Sequence, residues 1–140
     1  MNARTALTAL ATATFGLTGS AAFAGDPVAG ERQWRQCRAC HMIVSPEGET
    51  IQNGGRVGPN LYGIIGRQAG TVDGFRYGAD LVAAGEDGLV WDEENFVEYV
   101  QDPTGFIRSH SGNASARSPM NFQMRSGAED MFAYLDSLDD

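Results

Sequence analysis

Apolar residues recur along most of this chain at helical spacing, behind one apolar opening run. That run extends from Ala6 to Leu17, and Arg4 is the only charge in the first 25 residues. Ala22-Phe23-Ala24 then supplies a small-x-small cleavage pattern, so residues 1–24 are predicted to be a removed export signal. The run is too short and too rich in Thr for a bilayer span. Residues 25–140 are left as one small domain. A first helix is predicted from Asp26, a good N-cap, and Pro27, suited to the first turn. It runs to a pair of cysteines, with Val28 and Trp34 among its apolar positions. Val44 to Pro59 is predicted as loop from Ser45-Pro46-Glu47-Gly48, Asn53-Gly54-Gly55 and Gly58-Pro59. Short helices are predicted from Leu61 to Ile65, ended by Gly66, and from Phe75 to Ala84, closed by Gly85. A clearer helix begins at Asp92, with Glu93 and Glu94 where the dipole favours acids. It buries Phe96, Tyr99 and Val100 and ends at Asp102-Pro103. Gly105 to Arg125 is predicted to be irregular, and segments of that length are commonly functional. The last helix opens with a capping box, Ser126 with Glu129. Its apolar face is Met131, Tyr134, Leu135 and Leu138. No strand-like alternation is visible, so the class is all-α.

Charge adds a second pattern. The formal net charge is −8, and all 10 basic residues are arginine. Segments 32–46 and 103–125 hold Arg32, Arg35, Arg38, Arg108, Arg117 and Arg125 without one acid; the rest of residues 25–140 sets three arginines against all 18 acids. An acidic domain can therefore present a positive face that orients it toward an acidic partner. Nothing beyond the opening run is apolar enough to cross a membrane.

The only two cysteines stand in Cys37-Arg38-Ala39-Cys40-His41, the attachment signature for c-type haem. Two thiols three positions apart can each add to a vinyl group of one porphyrin. The histidine that follows is then held beneath the iron as a neutral imidazole ligand. A redox disulfide is disfavoured because no βαβ pattern is present. Zinc is disfavoured because the chain lacks a second Cys pair to complete four ligands. With 18 Gly and 5 Pro in the full sequence, the domain has a limited core, so covalent haem would also be its staple. A second iron ligand has five candidates: Met42, His110, Met120, Met124 and Met131. Met42 adjoins His41 and cannot reach the other haem face. Met131 belongs to the last helix's apolar stripe, Met124 suits packing, and His110 suits a solvated loop. Met120 follows Pro119 in an acid-free loop long enough to wrap the far side.

These motifs together resemble the class I cytochrome c family, nearest to the soluble periplasmic cytochromes c of purple and related bacteria. The resemblance spans residues 25–140. It rests on Gly30 and Trp34 ahead of the Cys motif, Gly58-Pro59-Asn60-Leu61-Tyr62-Gly63 with Gly66-Arg67, and Gly74-Phe75-Arg76-Tyr77. Trp91, Glu98-Tyr99-Val100, Ser118-Pro119-Met120-Asn121-Phe122 and Ala133-Tyr134-Leu135 extend it. The resemblance implies crossed N- and C-terminal helices, with short helices and loops around one covalent haem c. It implies Met120 as distal ligand and a Pro59 carbonyl accepting from His41. Arg67, Tyr77, Trp91 and Ser118 would hold the propionates, Tyr99 would approach the Met120 sulfur, and Gly30 would let the terminal helices cross beside Tyr134. The function implied is a periplasmic one-electron carrier, not an enzyme, of respiration or photosynthesis. Its partners would be a membrane cytochrome bc complex and a terminal oxidase or photosynthetic reaction centre. A monomer without nucleic-acid partner or membrane insertion is expected. Two rivals stand beside it: a haem protein with an open iron position, peroxidase or gas-binding, and a dedicated acceptor of one dehydrogenase. The chain departs from the family in lacking every lysine of the usual docking ring, with Pro119 and Gln36 at two of those positions. Arginine is not an equivalent replacement.

Overall fold

A computed structural model of the chain describes residues 25–138. The expected export signal, 1–24, lies outside the described residues. Helix α1 (Pro27–Gln33) starts as the sequence predicts: the Asp26 carboxylate accepts from the Val28 amide and Pro27 occupies the first turn. It tightens into a 3-10 turn, Trp34–Gln36, that delivers the chain to Cys37. Of the two apolar positions predicted on this helix, Trp34 is buried and Val28 is 55% exposed. The buried side of α1 is set by Gly30. Val28, two residues away, lies about 200° round the helix.

Helix α5 (Ala128–Asp136) buries Met131, Tyr134 and Leu135, with Leu138 packed behind them, as the spacing predicts. The capping box does not form. Gly127 caps the helix at φ 77°, and the Gln33 side chain lies where a Cβ on Gly127 would be. Packing of α1 on α5 thus overrides a local cap. The two helices meet at Gly30, where a Cβ would overlap the Asp130 carbonyl and the Tyr134 Cβ. The Asp130 side chain clasps both ends of α1, accepting from the Asp26 amide at 2.8 Å and from Gln33 Nε2 at 3.3 Å. Asp130→Ala is expected to lower the unfolding free energy by about 1 kcal/mol, read from urea denaturation. An unchanged midpoint would refute the clasp.

Helix α3 (Glu93–Gln101) has its expected cap, Asp92 accepting from the Asn95 amide, and its expected buried residues Phe96 and Val100. The segment after it is the main correction. It continues at once as α4 (Pro103–Ser111), capped by Asp102, which accepts from the Gly105 amide at 3.1 Å. Gly, Ser and His are poor helix formers, so the sequence signals a loop. Burial of Phe106 and Ile107 outweighs that preference. Irregular chain begins only at Gly112, a left-handed residue at φ 65°.

Helix α2 (Ala79–Glu86) begins later than predicted and includes Gly85 instead of stopping there. Gly85 is a packing residue, since a Cβ would overlap the Ala69 carbonyl. No helix forms over 61–65. Those residues make two turns, because Gly63 and Gly66 are left-handed and leave too few residues to propagate one. A small antiparallel hairpin, β1 (Ile43–Val44) with β2 (Thr50–Gln52), occupies part of the predicted loop. Asn60 pins it by accepting from the Val44 amide and donating to the Val44 carbonyl. The fold remains all-α, with five helices and this one hairpin among the described residues. No described helix is long and apolar enough to cross a membrane.

Candidate functional site

The cysteine motif is a tight turn hung from the end of α1. The Trp34 carbonyl accepts from the Cys37 and Arg38 amides, and the Cys37 carbonyl accepts from the Cys40 and His41 amides, at 2.8 to 3.1 Å. The two cysteines form no disulfide; Cys40 is exposed and Cys37 half-buried. Burial, then the neighbouring Cys40, pushes the Cys37 thiol up to about 11. No group of three or more His, Cys, Asp or Glu able to hold a metal occurs among the described residues.

His41 follows the turn, and its Nδ1 lies 2.9 Å from the Pro59 carbonyl. A carbonyl only accepts, so Nδ1 carries the hydrogen and Nε2 keeps a free lone pair. Burial holds the imidazole below its usual pKa, opposed by the Pro59 bond; the neutral form is the ligating one. The glycines between Asn53 and Pro59, which the sequence shows as turn signals, have a different purpose. A Cβ on Gly58 would overlap the His41 ring, one on Gly55 the Ala39 carbonyl, and one on Gly54 the His41 carbonyl. Bare backbone is laid against the motif because nothing larger fits.

A second group gathers around Met120. Ser118 is buried, and its hydroxyl accepts from the Met120 amide at 3.1 Å and lies 3.2 Å from the Tyr99 hydroxyl. The Ser118 amide donates to Thr104 Oγ1 on α4 at 3.2 Å. The loop before and at Met120 is therefore tied to α3 and α4 by side chains far apart in sequence. Ser118 already has two protein partners, and the Tyr99 hydroxyl faces Ser118. Sequence reasoning missed Thr104, since it falls in the stretch predicted to be irregular. Met120 is half-buried against the core. Met124 and Met131 are each 2% exposed and belong to the core. His110 is exposed on α4, with Nδ1 bonded to the Phe106 carbonyl and its ring stacked on Phe106. Met42 lies next to His41, its carbonyl accepting from the Leu61 amide.

Aromatic side chains form one wall. Trp91 and Tyr99 lie with ring centroids 4.9 Å apart, and both pack on Phe106. Arg67 is bound into this region: its carbonyl accepts from the Trp91 amide and its Nε donates to the Gly63 carbonyl. The Trp34 indole nitrogen is buried without a hydrogen-bond partner, and the Tyr77 hydroxyl is buried with the Val72 backbone in reach but no well-formed hydrogen bond. An unpaired buried polar group costs about 1–3 kcal/mol. At Tyr77 a cofactor carboxylate would supply the acceptor; nothing in the structure explains Trp34.

Burial raises the Tyr99 pKa above its usual 10, opposed by the Ser118 bond. Below pH 10 the phenol keeps its proton whether the chain is folded or unfolded. Above it the unfolded chain releases a proton that the folded one retains, so stability falls as pH rises. Tyr99→Phe is expected to lose less stability than the parent across that range, read from urea midpoints on either side of pH 10. An equal loss would show that Tyr99 does not carry the effect.

No protein-family model matches the chain. It is 60% identical over 114 residues to cytochrome c-551 of Roseobacter denitrificans, covering 81% of each. It is 50% identical over 117 residues to cytochrome c2 of Rhodovulum adriaticum, covering 81% of this chain and 93% of that one. The fold superposes on the crystal structure of ferric cytochrome c-550 from Paracoccus versutus with a TM-score of 0.80 at 36% identity, covering 83% of this chain and 99% of that one.

Proposed function

This chain belongs to the class I cytochrome c family, and we propose that it is a periplasmic carrier of single electrons, with Cys37 and Cys40 as haem anchors and His41 and Met120 as iron ligands. As a member it carries one covalently attached haem c, which supplies an iron couple that gains and loses one electron. The observation that carries the residue assignment is the bond from His41 Nδ1 to the Pro59 carbonyl, directly after two cysteines that form no disulfide. It leaves Nε2 as the one ring atom able to ligate. It also holds the ring in one orientation through a change of oxidation state, as fast electron exchange requires. Gly58 closes one side of that ring. Ser118, Tyr99 and Thr104 hold the Met120 segment by its backbone, so the thioether is placed without reorganising. Arg67, Tyr77 and Trp91 are assigned to the propionates, with the Tyr77 hydroxyl, which has no well-formed hydrogen bond, supporting that role. Ser118 is assigned there too, as an edge donor beyond its two protein bonds.

Export by residues 1–24 places the carrier in the periplasm. There it would take electrons from a membrane cytochrome bc complex and pass them to a terminal oxidase or photosynthetic reaction centre. Two measurements test the proposal. After denaturation in acid and acetone, the polypeptide is expected to keep its colour, since the attachment is covalent. The reduced holoprotein is expected to resist carbon monoxide. A colourless chain would refute attachment, and rapid conversion by carbon monoxide would favour an open iron position.

A further inference from the structure

Arg108 stands half-buried on the last turn of α4, and its Nε donates to the Ala116 carbonyl at 2.9 Å. Ala116 is 2% exposed, so this bond closes over a buried methyl group. One turn earlier on the same face of α4, Thr104 Oγ1 accepts from the Ser118 amide at 3.2 Å. The two bonds match in spacing. Four helical residues rise about 6 Å, and two loop residues span at most about 7 Å. The chain from Ala116 to Ser118 therefore runs back along α4, held at both ends, and Ser118 in turn holds the Met120 amide.

Local structure brings the loop to this place. Gly112 turns the chain at φ 65°. The Asn113 side chain then accepts from the Ser115 amide, and the Asn113 carbonyl from the Ala116 amide. A second strap runs to α2, where Asn113 Nδ2 donates to Asp80 at 3.0 Å, but this bond faces solvent. Water competes for it, so it holds less. The Arg108 bond is partly buried, and a guanidinium keeps its charge at any pH the protein survives.

We infer that Arg108 is a positioning residue for the distal iron ligand: by fixing the Ala116 carbonyl it sets how often Met120 leaves the iron, and so how closed the iron stays to outside molecules. This rests on the reading of Met120 as that ligand. Without the Arg108 bond, the stretch from Gly112 to Arg117 hangs on the exposed Asp80 strap, and local opening carries Ser118 and Met120 with it. In the opening the thioether leaves ferric iron with its electron pair, and an outside lone pair takes its place. No electron is transferred.

The test is imidazole binding to ferric holoprotein, followed by stopped-flow absorbance. At high imidazole the observed rate levels off at the rate of Met120 release. Arg108→Ala is expected to raise that limit about tenfold, the effect of one lost charge-assisted hydrogen bond. Arg108→Gln keeps an N–H donor as many bonds from Cα as Nε, and is expected to stay within about threefold of the parent. Asp80→Ala is expected to stay within about threefold as well. Asp130→Ala, which loosens α1 on α5, is expected to weaken resistance to urea and leave the limit unchanged. An unchanged limit in Arg108→Ala overturns the inference. So does an equal rise in Arg108→Gln, Asp80→Ala or Asp130→Ala. Amide hydrogen exchange gives a second reading: the Ser118 and Met120 amides are expected to exchange about tenfold faster in Arg108→Ala, and the Met131 amide, bonded to Gly127, at the parent's rate. Equal acceleration of all three would mean general loosening and would also overturn it. Met120→Ala keeps the two readings apart. Imidazole binding within the mixing time, with nothing added by Arg108→Ala, upholds Met120 as ligand whatever Arg108→Ala does alone. A Met120→Ala protein with the parent's limiting rate would sink the ligand reading itself.

Discussion

Met120→Ala holoprotein, once reduced, is expected to bind carbon monoxide within the mixing time, where the parent protein resists it. The variant should also fall in reduction potential by a few tenths of a volt, a sizeable share of the roughly 0.8 V that axial ligation spans. The effect should stay local. What holds this segment is the Ser118 hydroxyl on the Met120 amide, its neighbour Tyr99, and Thr104 on the Ser118 amide. None of these bonds uses the Met120 side chain, so its loss empties the ligand position without releasing the loop. Met124 and Met131 cannot substitute without leaving the core, where each is 2% exposed. His110 is engaged with the Phe106 carbonyl and ring on α4. A Met120→Ala protein with an unchanged spectrum and the same resistance to carbon monoxide would show that another residue holds the iron.

Gly30→Val is expected to cost about 3 kcal/mol or more of unfolding free energy, in the range of severe core overpacking. Even the first added carbon would overlap the Asp130 carbonyl and the Tyr134 Cβ, and the carbonyl belongs to backbone that cannot rotate away. Separating α1 from α5 would also strain the Asp130 clasp and expose Trp34, Met131 and Leu135, all buried in the parent. Val28→Ala, at a 55% exposed position of the same helix, is the control and should stay within about 0.5 kcal/mol. Urea denaturation of the holoprotein followed by far-ultraviolet circular dichroism measures both. A loss below about 1 kcal/mol for Gly30→Val would refute the close crossing.

The parts of this protein legible in its sequence share one property: their partners lie a few residues away. Asp26 caps α1 and Asp92 caps α3 within three positions, and the stripe on α5 repeats every turn. The misread segments share the opposite property. Phe106 and Ile107 make a helix of a glycine- and serine-rich stretch through distant core contacts. Ser126 and Glu129 lose their capping box because Gln33, almost a hundred residues earlier, covers Gly127. Gly85 ends nothing because Ala69 needs its space.

The candidate site divides along the same line. The sequence by itself determined the proposed chemistry, because the attachment assigned to Cys37 and Cys40 and the ligation assigned to His41 depend on spacing within five residues. Tertiary structure alone decided which hydrogen His41 carries, through Pro59. It also decided how the Met120 loop is tied down, through Ser118, Tyr99 and Thr104. Those bonds join residues that no local pattern relates, and they form only when burial brings α3, α4 and the loop against one another.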